Sequence, residues 1–304
     1  MESNTMEIAH EFLPFFRVYK DGRVERLQGT ETMPPSIDPK VGVQSMDSLV
    51  SQQHTLHARL FLPIATKQNH KLPVIIYIHG GAFCVQSPFS PTYYTHLTSL
   101  VRNAHVLVVA IQYRRAPEHP LPFAYEDAWE AIKWVASHVN RDGPETWLNQ
   151  HADFEKVFLV GDSAGANIAH NMGIRFGVGE LGLKIIGMVL VHPYFATSDD
   201  KGEFLEYIFP SMEGLSDPRI NPGGGGVDLE KLGCRRRLLV CIAEGDSLRD
   251  RGVSYYEAVK KSGWGGVVDI VETAGEGHVF HLVKPNCDKA NILTEQIVSF
   301  INQD

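Results

Sequence analysis

A serine held between two glycines, in Gly161-Asp162-Ser163-Ala164-Gly165, has the setting most suggestive of covalent chemistry. An apolar strand-like run, Val157 to Val160, precedes it, and a helix-compatible segment begins at Ala166. A strand that ends in G-x-S-x-G and turns straight into a helix lifts one hydroxyl above the edge of a sheet. The glycines have a steric role, because so tight a turn leaves no room for flanking side chains. The helix start brings partial positive charge beside the hydroxyl. Nucleophilic attack on a carbonyl is the chemistry that this arrangement suits.

Such a serine needs a base and a group that orients the base. Of the 14 histidines, His278 is favoured, because it follows Glu276-Gly277 in a loop beyond a strand and precedes a helix. His281 is its nearest rival, and His170 lies two turns along the helix after the serine. For the acid, Glu244-Gly245-Asp246 stands just past the strand 238–243, where strand ends deliver groups to the carboxyl edge of a sheet. Asp246 is chosen, with Glu244 and Asp250 as alternatives. The order Ser163, Asp246, His278 is the one expected when such a serine tops an α/β sheet. Acyl transfer also needs donors where a carbonyl oxygen becomes an oxyanion. His79-Gly80-Gly81-Ala82-Phe83 follows the strand 74–78, and the amides of Gly81 and Ala82, with that of Ala164, would supply them. His79 itself is read as a brace for this loop. No H-E-x-x-H or H-x-H spacing points to a metal. Gly223 to Gly226 lacks the Lys-Ser/Thr of a phosphate loop and reads as a linker. No metal or organic cofactor is expected.

The elements that must position these groups alternate. Leu56-Ala58-Leu60 reads as a half-buried strand ending at Pro63. Apolar runs at 74–78, 106–111, 157–160, 187–191, 238–243 and 267–271 read as strands covered on both faces. Helical spacing marks 93–102, 125–139, the segment after Ser163, 252–261 and 288–302. Strands separated by helices imply an α/β layer fold with a mainly parallel central sheet. Residues 1 to about 45 stand outside that pattern. Glu7 to Leu13 reads as a short amphipathic helix, and Lys20-Asp21-Gly22-Arg23 as the turn of a hairpin between 16–18 and 24–27. Early aromatic residues suggest a flap that covers something.

Composition bounds the partners. The chain has 304 residues, 43% hydrophobic and 21% charged, ample for a large core. A net charge of −8 argues against nucleic acid and anionic membrane surfaces. The four cysteines lack C-x-x-C spacing and read as free thiols. The opening MESNTMEIAHEFLPFF does not read as a signal peptide, and no stretch is long enough to span a membrane. A cytoplasmic protein, monomer or weak homodimer, with a small-molecule substrate is expected.

Five stretches then carry a family resemblance: HGGAF at 79–83, YRRAPEHPLPFAYEDA at 113–128, GDSAGAN at 161–167, GDSLRD at 245–250 and GHVFHL at 277–282. With FFRVYKDGRVERL at 15–27, the chain resembles a plant carboxylesterase of the hormone-sensitive-lipase-like branch of the α/β-hydrolases. The resemblance implies Ser163 as nucleophile, His278 as base, Asp246 as its orienter, and an oxyanion hole of Gly81, Ala82 and Ala164. It also implies one catalytic domain (46–194 and 231–304) capped by residues 1–45 and about 195–230. Phe83, Phe195 and Phe209, with Phe204 and Tyr207, are candidate pocket walls. Three departures stand out. Ala82 replaces the third glycine of the usual HGGG, Arg115 stands where many relatives have leucine, and the segment between Tyr194 and Asn221 is short and lacks a tryptophan. Hydrolysis of small to medium carboxylic esters is the implied activity. Related scaffolds also eliminate water, as in 2-hydroxyisoflavanone dehydratase, or bind gibberellin after losing the histidine. His278 counts against that receptor role.

Overall fold

The computed structural model describes residues 7–67, 70–178, 181–196, 202–224 and 228–303. The first three strands, β1 (Ile8–Phe12), β2 (Phe16–Tyr19) and β3 (Val24–Arg26), form a small antiparallel sheet of their own. β2 and β3 are the expected hairpin. The segment expected to be a short helix is β1 instead. Four of its five residues are exposed, and so short a helix is marginal without a face to bury. Pairing with β2 satisfies its backbone.

The chain continues through β4 (Ile37–Asp38), β5 (Val43–Ser51), β6 (Leu56–Pro63), β7 (Leu72–Ile78), α1 (Pro91–Ala104) and β8 (Leu107–Ile111). Next come α2 (Phe123–Ala136), α3 (Thr146–His151), β9 (Ala152–Asp162), α4 (Ala164–Phe176), β10 (Ile185–Val191) and α5 (Glu203–Ile208). The last elements are β11 (Arg237–Ala243), α6 (Arg249–Lys261), β12 (Val267–Thr273), α7 (Phe280–Val283) and α8 (Asp288–Asn302). Strands β4 to β12 make one sheet in the order β12-β11-β10-β9-β7-β8-β6-β5-β4. From β12 to β8 the neighbours run parallel, and β6, β5 and β4 add antiparallel pairings. The boundary expected at residue 45 falls inside β5, which belongs to this sheet. Of the region expected at 195–230, residues 197–201 and 225–227 lie outside the described residues, including Gly225 and Gly226 of the glycine run.

Alternation within the central strands divides the core in two. Val74, Ile76 and Ile78 face one layer with residues of α2, α4 and α6, while Ile75 and Tyr77 face the other with α1 and α8. Period-two side-chain geometry produces that division, and burial on both faces explains the unbroken apolar runs. The order also reverses direction at one place. From β7 the chain crosses by α1 to β8 on one side, then returns to place β9 on the other. A crevice opens above the carboxyl ends of strands where the order so reverses. The loop at 79–86 and Ser163 leave β7 and β9 at that point.

Candidate active site

Ser163 sits between β9 and α4 at φ 51°, ψ −120°, a conformation strained for any residue with a Cβ. Backbone bonds pin it. Its N–H donates to the Val191 carbonyl at 2.8 Å, and its carbonyl accepts from Tyr194 N at 3.0 Å and Ala166 N at 3.1 Å. A Cβ at Gly165 would collide with the Ile78 carbonyl oxygen, and one at Gly161 with that of Gly165. Both glycines are therefore required by close backbone approach.

His278 lies in the loop after β12. Its Nε2 is 2.9 Å from Ser163 Oγ, and its Nδ1 is 2.8 Å from Asp246 Oδ2. Asp246 follows β11, is buried, and accepts the Leu248 amide on Oδ1 at 2.8 Å. Burial alone would raise its carboxyl, but the His278 hydrogen bond and charge, helped by the Leu248 amide, hold it below the ordinary carboxylate range. The rivals stand elsewhere. His170 Nδ1 meets the Tyr255 hydroxyl at 2.9 Å, and His281 is buried against His96 and His192. Glu244 accepts the Gly275 amide, and Asp250 pairs with Arg249.

Facing the serine, the loop after β7 holds Gly81, Ala82, Phe83 and Gln86 all at positive φ, at 101°, 52°, 62° and 69°. A Cβ at Gly81 would strike the Val85 carbonyl oxygen. The Gly81 carbonyl accepts from the amides of Cys84 and Val85, each at 2.9 Å. The amides of Gly81, Ala82 and Ala164 donate to nothing among the described residues. His79 stacks on Tyr113 with ring centroids 4.2 Å apart, and burial pushes its pKa down to about 3. It is a neutral brace.

Four residues that the sequence reading passed over hold this arrangement. Asp162 is fully buried beside Ser163, and accepts Tyr77 Oη at 2.8 Å, Tyr93 Oη at 2.8 Å and the Gly80 amide at 3.2 Å. Desolvation raises its pKa to about 6, against the pull of those bonds. The carboxylate thereby ties the loop after β7 to the serine turn. Its only sequence signal is the variable position of G-x-S-x-G. His192, at φ 47° just past β10, accepts the Val279 amide on Nδ1 at 2.9 Å and so fixes the residue after His278. Ligand-capable atoms of His192, Asp246 and His278 lie within 4.8 Å of one another, the one such group among the described residues. The hydrogen bonds of both His278 nitrogens already account for its place.

The serine opens into a cavity of about 760 Å³ lined by Phe12, Leu13, Phe15, Val85, Tyr194 and Phe204 together with His278 and Ala82. That size and apolar lining suit a small-molecule ligand. A groove of about 830 Å³ elsewhere runs past Phe176, Lys231 and Trp264 and is lined by none of these groups. The expected walls Phe83, Phe195 and Phe209 do not line the catalytic cavity. They are buried in the core: Phe83 packs edge-on to Tyr125 and Tyr194, Phe195 packs against Tyr255 and His170, and Phe209 lies under the Arg219 guanidinium. Apolar character alone did not distinguish a core ring from a pocket ring. Phe204, by contrast, does line it, and Tyr207 packs at a tilt against Phe12 with centroids 4.9 Å apart.

Comparison with known proteins agrees with this geometry. Residues 75–282 match the family model described as alpha/beta hydrolase fold. The chain is 48% identical over 315 positions to probable carboxylesterase 5 of Arabidopsis thaliana, covering 97% of this chain and 98% of that one. It is 42% identical over 321 positions to 2-hydroxyisoflavanone dehydratase of Glycyrrhiza echinata, covering 98% of each. Among solved structures, a hyperthermophilic esterase from the archaeon Pyrobaculum calidifontis superimposes with a TM-score of 0.69 at 27% identity, covering 85% of this chain and 84% of that one. The family match over residues 75–282, with 48% identity over nearly the whole length of a plant relative, identifies the chain as a member of the α/β-hydrolase family, alongside the plant carboxylesterases.

Proposed function

We propose that this protein is a serine carboxylesterase that cleaves small to medium carboxylic esters through an acyl-enzyme. The observation that carries the reading is the unbroken line from Ser163 Oγ to His278 Nε2 at 2.9 Å and from His278 Nδ1 to Asp246 at 2.8 Å. His278 takes the Ser163 proton as Oγ bonds to the ester carbonyl carbon. Asp246 holds the imidazole tautomer and steadies the imidazolium. The free amides of Gly81, Ala82 and Ala164 receive the carbonyl oxygen as it gains charge, an effect worth roughly 3 kcal/mol per donor. His278 then protonates the departing alkoxide, and alcohol leaves. Water enters, gives its proton to His278 and attacks the acyl carbon, and His278 returns that proton to Ser163 Oγ as the acid is released. The N-terminal sheet and α5 act as a cap, with Phe12, Phe15 and Phe204 closing over the acyl group.

Turnover of p-nitrophenyl acetate and butyrate tests this. Wild type is expected to release nitrophenolate and Ser163→Ala to release none above background; equal rates would end the reading. A second reading, elimination, draws on the dehydratase relative. The same base and amides would suit proton removal beside a carbonyl. Water loss from a supplied 2-hydroxyisoflavanone, surviving in Ser163→Thr, would favour it. We also read the protein as cytoplasmic and monomeric or weakly dimeric. Its four cysteines are unpaired and three of them buried, which suits a reducing compartment. Among the described residues no helix is long and apolar enough to cross a membrane.

A further inference from the structure

Arg115 is the residue of the 113–128 stretch that acyl chemistry leaves without a task. It is half-buried, and of its five N–H donors one is used among the described residues, Nη1 donating to the Gln86 carbonyl at 2.8 Å. Its neighbour Arg26 uses four of its five donors. There Nε donates to the Cys84 carbonyl at 2.7 Å, Nη1 and Nη2 fork the Glu118 carboxylate at 2.7 and 2.6 Å, and Nη2 also reaches the Ala116 carbonyl at 3.2 Å. Glu118 is thus committed to Arg26, and Arg115 forms no ion pair among the described residues. Burial and the nearby Arg26 charge lower the Arg115 pKa from its ordinary value, as befits a cation short of counter-charge.

Both arginines line a separate cavity of about 270 Å³, together with the exposed Thr30 and Thr32 and the buried Ser87. The threonine hydroxyls bond to nothing among the described residues. Ser87 Oγ accepts the Phe89 amide at 3.3 Å and keeps its proton to donate. No carboxylate lines the cavity among the described residues. A guanidinium with idle donors, flanked by hydroxyls, is a receptor for an oxyanion, because the fork matches two oxygens and the hydroxyls serve the rest.

We propose that this cavity binds a carboxylate or phosphate group, with Arg115 as its principal ligand. Its place gives the binding a consequence. Gln28 and Gln86 line the catalytic cavity, and their chain neighbours Gly29 and Ser87 line this one, so the two lie back to back. Gln86 is the partition: its carbonyl holds Arg115, and it ends the loop that carries Gly81 and Ala82. The oxyanion is either the acid end of the ester itself or a free ion that acts through that partition. The first alternative rests on the esterase reading; the binding does not.

Isothermal titration calorimetry of the full chain with glutarate and with inorganic phosphate tests the site. Wild type is expected to bind at least one of them saturably and more weakly at high salt. Arg115→Leu should weaken that binding by about tenfold or more, as loss of a charge-assisted pair does, and Arg115→Lys by less. Absence of saturable binding, or equal binding by wild type and Arg115→Leu, overturns the proposal. Should circular dichroism show Arg115→Leu unfolded, the Thr30→Val/Thr32→Val double variant decides: weaker binding supports the site and unchanged binding sinks it. Kinetics then assign the source. A preference of wild type for mono-p-nitrophenyl glutarate over p-nitrophenyl pentanoate that Arg115→Lys reduces marks the substrate's own acid. No such preference, with glutarate altering butyrate ester turnover, marks a free ion. A chain without ester turnover would remove the esterase reading and leave the calorimetric result to stand or fall alone.

Discussion

The two sides of the catalytic cavity are built on different physics. On the sheet side the side chains of Asp162, Asp246 and His278 are held by directional bonds. Asp162 takes three donors, Asp246 takes two, and the serine turn is locked by backbone contacts too close for a side chain. On the other side, β1 to β3 meet α5 through rings. Phe12 and Phe15 lie 5.7 and 5.4 Å from Phe204, and Phe16 lies 6.3 Å from Tyr207. Ring contacts are attractive over a range of geometries, whereas hydrogen bonds weaken steeply when misaligned. On the proposed function the rigid side places the reacting atoms, and the ring side can yield to acyl groups of different shape.

Several changes would sharpen or break that contrast, and the largest effects belong to the rigid side. Ser163→Ala or His278→Ala is expected to lower kcat by about 10⁶-fold and Asp246→Asn by about 10⁴-fold, measured on p-nitrophenyl butyrate. A residual rate within tenfold of wild type in any of them would break the comparison. Next is Gly165→Ala. The new methyl meets the Ile78 and His79 carbonyl groups, so a loss of about 3 kcal/mol or more in urea unfolding is expected. An unaffected midpoint would mean that this turn is softer than its contacts imply.

Acid response is a third measure of the rigid side. Burial depresses His79 and His170 to about 3 and His96 and His192 to about 4, from the ordinary 6.5. As pH falls below 6.5 the unfolded chain takes up protons that the fold refuses. Stability from these groups is therefore full above pH 6.5 and drains away towards pH 4 and 3. Asp162, raised to about 6, works in the opposite sense, its contribution fading as pH rises from 3.8 through 6. One carboxyl against four imidazoles leaves the histidines dominant. Stability near pH 5 should change by about 4 kcal/mol per pH unit, followed by circular dichroism in urea; a flat profile between pH 6.5 and 4.5 would contradict it. The smallest effects belong to the ring side. Phe12→Ala and Phe204→Ala should shift KM and acyl-length preference by about three- to tenfold while kcat on acetate stays within about twofold. An equal fall in kcat for every ester would show that the cap also places reacting atoms.

Legibility followed the same divide. Strands β7 to β11 were readable because burial on both faces leaves long apolar runs, and Asp246 and His278 were readable because strand ends project onto one edge. β5 escaped notice because Gln44, Asp47 and Ser48 interrupt its apolar residues, as suits a strand near the margin of a sheet, half of it in water. The β1 segment reads as a helix in the sequence because five residues carry too little periodicity to separate the two. The misplaced walls Phe83, Phe195 and Phe209 have the same origin: transfer from water favours burial of a ring without regard to whether its neighbours are core or ligand.

Local sequence by itself determined the kind of chemistry, because a serine turn, a glycine loop and a histidine past a strand each impose their geometry within a few residues. It also determined the layered sheet, since strand and helix periodicities are written in consecutive side chains. Only the tertiary structure decided which rings face the cavity, that Asp162 joins the two loops, and that Arg115 has no carboxylate partner among the described residues. Those facts depend on groups tens to more than a hundred positions apart, and hydrophobicity and charge act on whatever neighbour the fold provides.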